Sequence, residues 1–215
     1  MPAVPASGGP RAATRAKETR SERIEAARRA RQRKAALTRA GIAGAVAVLV
    51  LVVTVVVVSN KKDAKADQNR ITAGSCTYDT RADRIDPPPN NHVPPASYEV
   101  DPPAGGNHDP SPAAAGLYDG AGQTTPGDAQ LVHSLEHGFV VIWHRPDLSQ
   151  KDLAAVHGVF DDHPDDVIVV PRASLKVKVA ATSWGRRLLC GEVEPERLSE
   201  FVDLYRNKSP EPGVR

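Results

Sequence analysis

His133, Glu136 and His137 fall within five consecutive positions, HSLEH, just before the apolar run FVVIW. Imidazole and carboxylate groups so spaced can ligate a transition metal, move protons, or hydrogen-bond nearby backbone. If the segment is helical, His133 and His137 lie four apart on one face with Glu136 beside them, so both rings can address one ion. If it is extended, alternation keeps the two histidines together and sends Glu136 to the opposite face. Asp128 as a cap and Gly138 as a terminator favour the helix. A third ligand is available from His108 or His92, in a proline-rich stretch upstream. This donor set suits zinc or copper(II). A thioether-rich copper(I) site is excluded, because Met1 is the only methionine.

Two other readings of the same residues stay open, because spacing does not separate them. The stretch DPPPNNHVPPASYEVDPPAGGNHDPSP, Asp86 to Pro112, is rich in carbonyls that need donors. The histidines and Glu136 can serve simply to pin that loop to the neighbouring strand, which makes the protein a structural or interaction module. The letters also fit H-x-x-E-H, the signature of one class of zinc peptidases, but without the long flanking helix that signature needs. A metal-dependent hydrolase therefore stands third, binding is favoured over catalysis, and no catalytic residue is assigned. The chain contains no Gly-rich phosphate loop, no G-x-S-x-G elbow and no convincing cysteine nucleophile. His144 reads as an edge residue, His157 and His163 as surface positions, and Trp184 with Gly185 as core packing at a strand bend.

The elements that must position these residues follow from hydrophobic periodicity. Phe139 to His144 is a short apolar, β-branched and aromatic run, hence a buried strand. Ser149 to Asp162 places Leu153, Val156 and Phe160 at helical spacing. VIVVP, from Val167, predicts a second buried strand. Leu175, Val177 and Val179 alternate, predicting a strand with one wet face that continues past Gly185 towards Cys190. Pro195 opens a helix that aligns Leu198, Phe201, Val202 and Tyr205 on one stripe. So much proline between Asp86 and Pro112 forbids helix and central strand alike. The expected class is α+β, a small mostly antiparallel sheet with helices on one face, preceded by a transmembrane helix and the proline-rich loop region.

Gly41 to Ser59 carries no charge and is dominated by Val, Leu, Ile and Ala, with two Gly, one Thr and one Ser. Its 19 residues make a helix of about 28 Å, close to the hydrocarbon thickness of a bilayer. Eleven basic against three acidic residues precede it, a net +8; the whole chain is +2, which leaves −6 for the remainder. The positive-inside rule then predicts a cytoplasmic N-terminus and an exported C-terminal part. An uncleaved anchor fits better than a signal peptide, since no small-residue cleavage motif follows. The expected boundaries are a basic tail over 1–40, the span over 41–59, a polar linker over 60–75, the exported domain over 76–208 and a short tail over 209–215. Residues 1–16 read as disordered, and Thr19 with Glu22 has capping-box spacing at the start of a basic helix. That tail has no aromatic residue to stack a base, so no nucleic-acid partner is expected; the expected partners are the membrane and another envelope protein. Cys76 and Cys190 both lie in the exported part, where a pair is more often bridged than left as two buried thiols. A bridge enclosing so long a loop contributes about 4–5 kcal/mol in the chain-entropy model.

The motifs PPAGGNHDP (Pro102 to Pro110), GLYD (Gly116 to Asp119), VHSLEHGFVVIW (Val132 to Trp143), ATSWGRRL (Ala181 to Leu188) and SPEPG near the C-terminus occur in this order. Together they resemble the bacterial domain of unknown function 3105 family. The resemblance covers nearly all of the part after the span. It implies an anchored or exported domain at a bacterial cell membrane and brings no established activity with it.

Overall fold

The computed structural model describes residues 10–79, 92–93 and 97–214, and the chain divides into two compact units, Met1–Lys61 and Lys62–Arg215. The first unit is formed by most of helix α1 (Pro10–Ile71). Proline is tolerated at a first helical position, and the Ala, Arg, Lys and Glu residues that follow are good helix formers. The helix therefore starts upstream of Thr19, so the Thr19–Glu22 pair lies within it and does not cap its beginning. Residues 10–16, expected as disordered, are helical too, whereas 1–9 lie outside the described residues. Between Ile42 (60% exposed) and Val58 (45% exposed) the helix presents apolar side chains all round. Among the described residues it is the one helix long and apolar enough to cross a membrane. It also continues through the polar residues expected as a linker, ending at Ile71, which is fully buried in the second unit.

The second unit is α+β. Six strands, β1 (Cys76–Tyr78), β2 (Gly116–Leu117), β3 (Val140–His144), β4 (Val167–Pro171), β5 (Val179–Ser183) and β6 (Arg186–Cys190), form one sheet in the order β1-β6-β5-β3-β4-β2. It is mixed: β1, β6, β5 and β3 pair antiparallel, while β3, β4 and β2 run parallel. Helix α3 (Gln150–Asp162) makes the crossover that a parallel β3–β4 pair requires. Strand β5 begins only at Val179 and has no wet face, because it lies between β3 and β6 and is covered on both sides. Leu175 and Val177 precede it in the irregular connection from β4, and Trp184–Gly185 forms the hairpin turn to β6.

Alternation along the strands sorts the core into two faces. Val140, Ile142, Val167 and Val169 pack against Val156 and Val159 of α3 and against Leu198, Phe201 and Val202 of α4 (Pro195–Tyr205). Val141, Trp143, Ile168 and Val170 pack against Leu131, Val132 and Leu135 of α2 (Asp128–Glu136). Two helices thus share one face as expected, while α2 covers the other and takes the HSLEH segment with it. The Trp143 indole N–H donates to Thr182 Oγ1 across the β3–β5 pair at 2.8 Å, so this buried polar group is paired.

The sheet edge at β1 is tied by two sets of contacts. Cys76 stands opposite Cys190 in the β1–β6 register, with Cα atoms 4.0 Å apart and sulfurs at disulfide distance. One residue earlier, the Ser75 backbone N–H and hydroxyl both donate to Glu194 Oε1, at 2.6 and 2.7 Å. These bonds hold the Glu194 carboxyl below its ordinary range, the hydroxyl contributing most. A depressed folded-state value makes the contribution complete above the ordinary pKa and removes it as pH falls through the folded value. Urea midpoints followed from about pH 6 down to about pH 3 are expected to fall more steeply for the wild type than for Glu194→Gln. Parallel curves would show that the carboxylate does not couple to stability.

Candidate metal centre

Helix α2 starts one residue earlier in its capping than the sequence suggests. Gly127 is the N-cap, and its N–H donates to the side chain of Gln130 at 3.1 Å. Asp128 is instead the first helical residue, and its carboxylate accepts from both terminal nitrogens of Arg172, at 2.7 and 3.1 Å. An acidic side chain in a first turn also suits the helix dipole. At the other end His137 is the C-cap, and Gly138 follows with φ +94°, the left-handed conformation that ends the helix as predicted. The helical geometry places His133 and His137 one turn apart, their Nε2 atoms 3.0 Å from each other.

Those two rings meet the proline-rich stretch, of which 92–93 and 97–112 are described and 86–91 and 94–96 lie outside the described residues. The loop is held from two sides. From the β5–β6 hairpin, Gly185 N–H donates to Ala104 O at 2.6 Å, and Arg187, itself buried, donates to Pro102 O at 3.2 Å. From α2, the Ser134 hydroxyl donates to Ala113 O at 2.8 Å and accepts from Ala113 N–H at 2.9 Å, pairing both backbone groups of one residue. Tyr98, within the loop, donates its hydroxyl to Asn107 O at 2.8 Å.

The histidines complete this anchoring in a way that fixes their tautomers. His108 Nδ1 lies 2.8 Å from Gly106 O, and His133 Nδ1 lies 2.6 Å from Asp109 O. A carbonyl can only accept, so each Nδ1 carries a proton, and in the neutral ring Nε2 is the nitrogen left with a lone pair. His108 Nε2 points at Glu136 Oε2 from 3.0 Å, but the two atoms are not in hydrogen-bond geometry. Both oxygens of Glu136, a fully buried residue, lack a hydrogen-bond partner. Burial pushes the His133 imidazolium below its ordinary value; the Asp109 carbonyl opposes this, and the neighbouring rings of His137, His108 and His92 reinforce it. A lowered value favours the neutral ring, the form in which an imidazole can ligate a metal.

One ligand atom from each of His92, His108, His133 and Glu136 lies within 4.8 Å of all the others. The ring centroids of His92 and His108 are 5.0 Å apart, and those of His108 and His133 are 4.8 Å apart. Ligands about 2.1 Å from a tetrahedral zinc stand about 3.4 Å from one another, so the widest pair must close by up to about 1.4 Å. His92 is the one exposed member of the quartet. His137 is not in it. It groups with Glu136 and with Glu211 of the SPEPG motif, whose backbone N–H donates to Glu136 O at 3.1 Å. The five residues expected at the site are thus contiguous but divide between two overlapping sets. Glu211 and Ser134 went unassigned in the sequence, although both lie inside motifs of the family resemblance.

A second polar group corrects two other expectations. His144 is buried, because β3 is a central strand, and its Nε2 lies 3.2 Å from Asp119 Oδ2. His157 of α3 reaches the same oxygen at 2.7 Å and is therefore partnered, not a plain surface residue.

Residues 92–215, more than half of the chain, match the family described as Protein of unknown function (DUF3105). The matched segment contains every member of the histidine and glutamate cluster. No curated protein and no solved structure matches the chain.

The turn that presents His137 depends on Gly138. A Cβ there would stand 2.8 Å from Asn207 Cα, in addition to the left-handed backbone. Gly138→Ala is expected to lower stability by at least about 1–2 kcal/mol, the penalty of that conformation alone. Chemical denaturation would measure it, and an unchanged midpoint would show that the α2–β3 turn is not held as described.

Proposed function

The chain belongs to that family, Protein of unknown function (DUF3105), and we propose that it is a membrane-anchored protein whose extracytoplasmic domain binds a transition metal ion, zinc or copper(II), through His92, His108, His133 and Glu136. The observation that carries this reading is the pair of Nε2 atoms aimed inward beside a buried, unpartnered carboxylate. Loop pinning alone accounts for Nδ1 of His108 and of His133. It leaves His108 Nε2 and both Glu136 oxygens buried without partners, a substantial penalty for which pinning offers no return. A cation among them would satisfy His108 Nε2 and the Glu136 oxygen that faces it. The arrangement also matches the way metal-ligating histidines are held, with the second nitrogen donated to a carbonyl that fixes the ring.

Gly41 to Ser59 serves in this proposal as a single-pass anchor, with the +8 tail in the cytoplasm and the domain over 76–208 on the far side. The Cys76–Cys190 pairing suits an oxidising compartment. Such a domain can present its ion or its loop to another envelope protein.

Two measurements test the proposal. Full-length protein in detergent is expected to melt higher with zinc than with chelator, by about 2.7 kcal/mol of stability at a hundredfold excess over Kd. His108→Ala with His133→Ala should abolish that gain. A wild type whose melting ignores zinc and copper would leave loop pinning as the only role. For topology, a phosphatase fused after Arg215 is expected to be active and a cytosol-dependent fluorescent reporter dark; the reverse result removes the extracytoplasmic placement.

A further inference from the structure

We infer that the cluster is a dinuclear centre in which Glu136 bridges two metal ions, the second held by His137 and Glu211. The inference rests on the metal-binding reading above and extends it by one ion. Its basis is that both candidate ligand sets contain Glu136, so the two share a single carboxylate. That side chain is fully buried and both of its oxygens lack hydrogen-bond partners. One ion ligated by Oε2, the oxygen facing His108, would satisfy half of the carboxylate and leave Oε1 buried and bare. A bridging carboxylate uses one oxygen per ion and spaces two ions about 3.5–4 Å apart.

His137 supplies the second, independent observation. Its side chain is 9% exposed, and its Nδ1 is buried with no hydrogen-bond partner. Its Nε2 bonds to His133 Nε2, the nitrogen that the first ion would occupy. Loading the quartet therefore displaces His137 from its only ring partner among the described hydrogen bonds and makes the imidazole available as a ligand. Glu211 Oε2 stands 3.9 Å from His137 Nε2, a separation that one ion can close. The Glu211 N–H bond to Glu136 O fixes the SPEPG segment to the end of α2, so the second set forms from the termini of two adjoining segments. His, carboxylate and shared carboxylate form a hard, nitrogen- and oxygen-rich set suited to zinc or another divalent first-row ion.

The test uses the full-length chain in detergent, loaded with zinc, freed of excess ion and assayed for zinc per chain. Wild type is expected to hold two ions; Glu211→Gln and His137→Asn should each hold one, with the folded apo-protein melting checked for both. Because the Glu211 side chain is 44% exposed and its backbone bond is untouched, Glu211→Gln is the variant that preserves the fold. One ion in wild type, unchanged in Glu211→Gln, overturns the second site and leaves the first standing. No ion in wild type overturns the metal-binding proposal itself. Copper(II) titration tests the bridge: a paramagnetic signal that weakens as the second equivalent binds supports coupling through Glu136. A signal that doubles overturns it.

Discussion

The two hydrogen bonds from imidazole Nδ1 to backbone carbonyl, His108 to Gly106 and His133 to Asp109, are the constraint on which the site depends. Each does two things at once. It satisfies a carbonyl in a loop too rich in proline to pair its own backbone, and it turns the opposite nitrogen of the ring inward. Loop anchoring and metal ligation, which read as rival roles in the sequence, are thus compatible, because anchoring uses only one nitrogen of each ring. Because Ser134 and the β5–β6 hairpin hold the same loop independently, the rings are oriented by the fold itself. The ordering entropy has then already been spent on folding.

The sheet provides the rigidity that makes this possible. Helix α2 is only nine residues long, Asp128–Glu136, and would be marginal by itself. It is held by Leu131, Val132 and Leu135 against the face formed by Val141, Trp143, Ile168 and Val170. The Arg172 contact to Asp128 fixes its start, and the Gly138 turn into β3 fixes its end. Glu136 occupies the last helical position and is fully buried, where a carboxylate that accepts no hydrogen bond is destabilising. Folds keep such groups where function uses them, and the remainder of the core supplies the stability that tolerates them.

The same logic sets the two polar groups apart. Around Asp119, the carboxylate receives His157 at 2.7 Å and faces His144 at 3.2 Å, so it has partners within the protein. Around Glu136 the His108 ring stands 3.0 Å away but out of hydrogen-bond geometry, and neither carboxylate oxygen accepts a hydrogen bond such as the one Asp119 has with His157. Proximity of histidines and carboxylates is common to both, and only the pattern of satisfied and unsatisfied atoms distinguishes them.

Local chemistry made much of this legible in the chain itself. An uncharged run of Val and Leu long enough for a bilayer, strands over Val140–His144 and Val167–Pro171, a helix opened by Pro195, and the α+β class all follow from periodicity and from what proline and glycine permit. The helical spacing of His133, Glu136 and His137, with Gly138 to end it, was legible for the same reason. Tertiary structure alone decided that α2 covers the sheet face opposite α3 and α4, that β5 is central and so dry on both sides, and that His144 is interior. It also decided which nitrogen of each ring faces inward, and it brought Glu211 to Glu136 across 75 residues of chain. Contacts of that range depend on strand order and on backbone carbonyls, and neither leaves a mark on the identity of the residues between them.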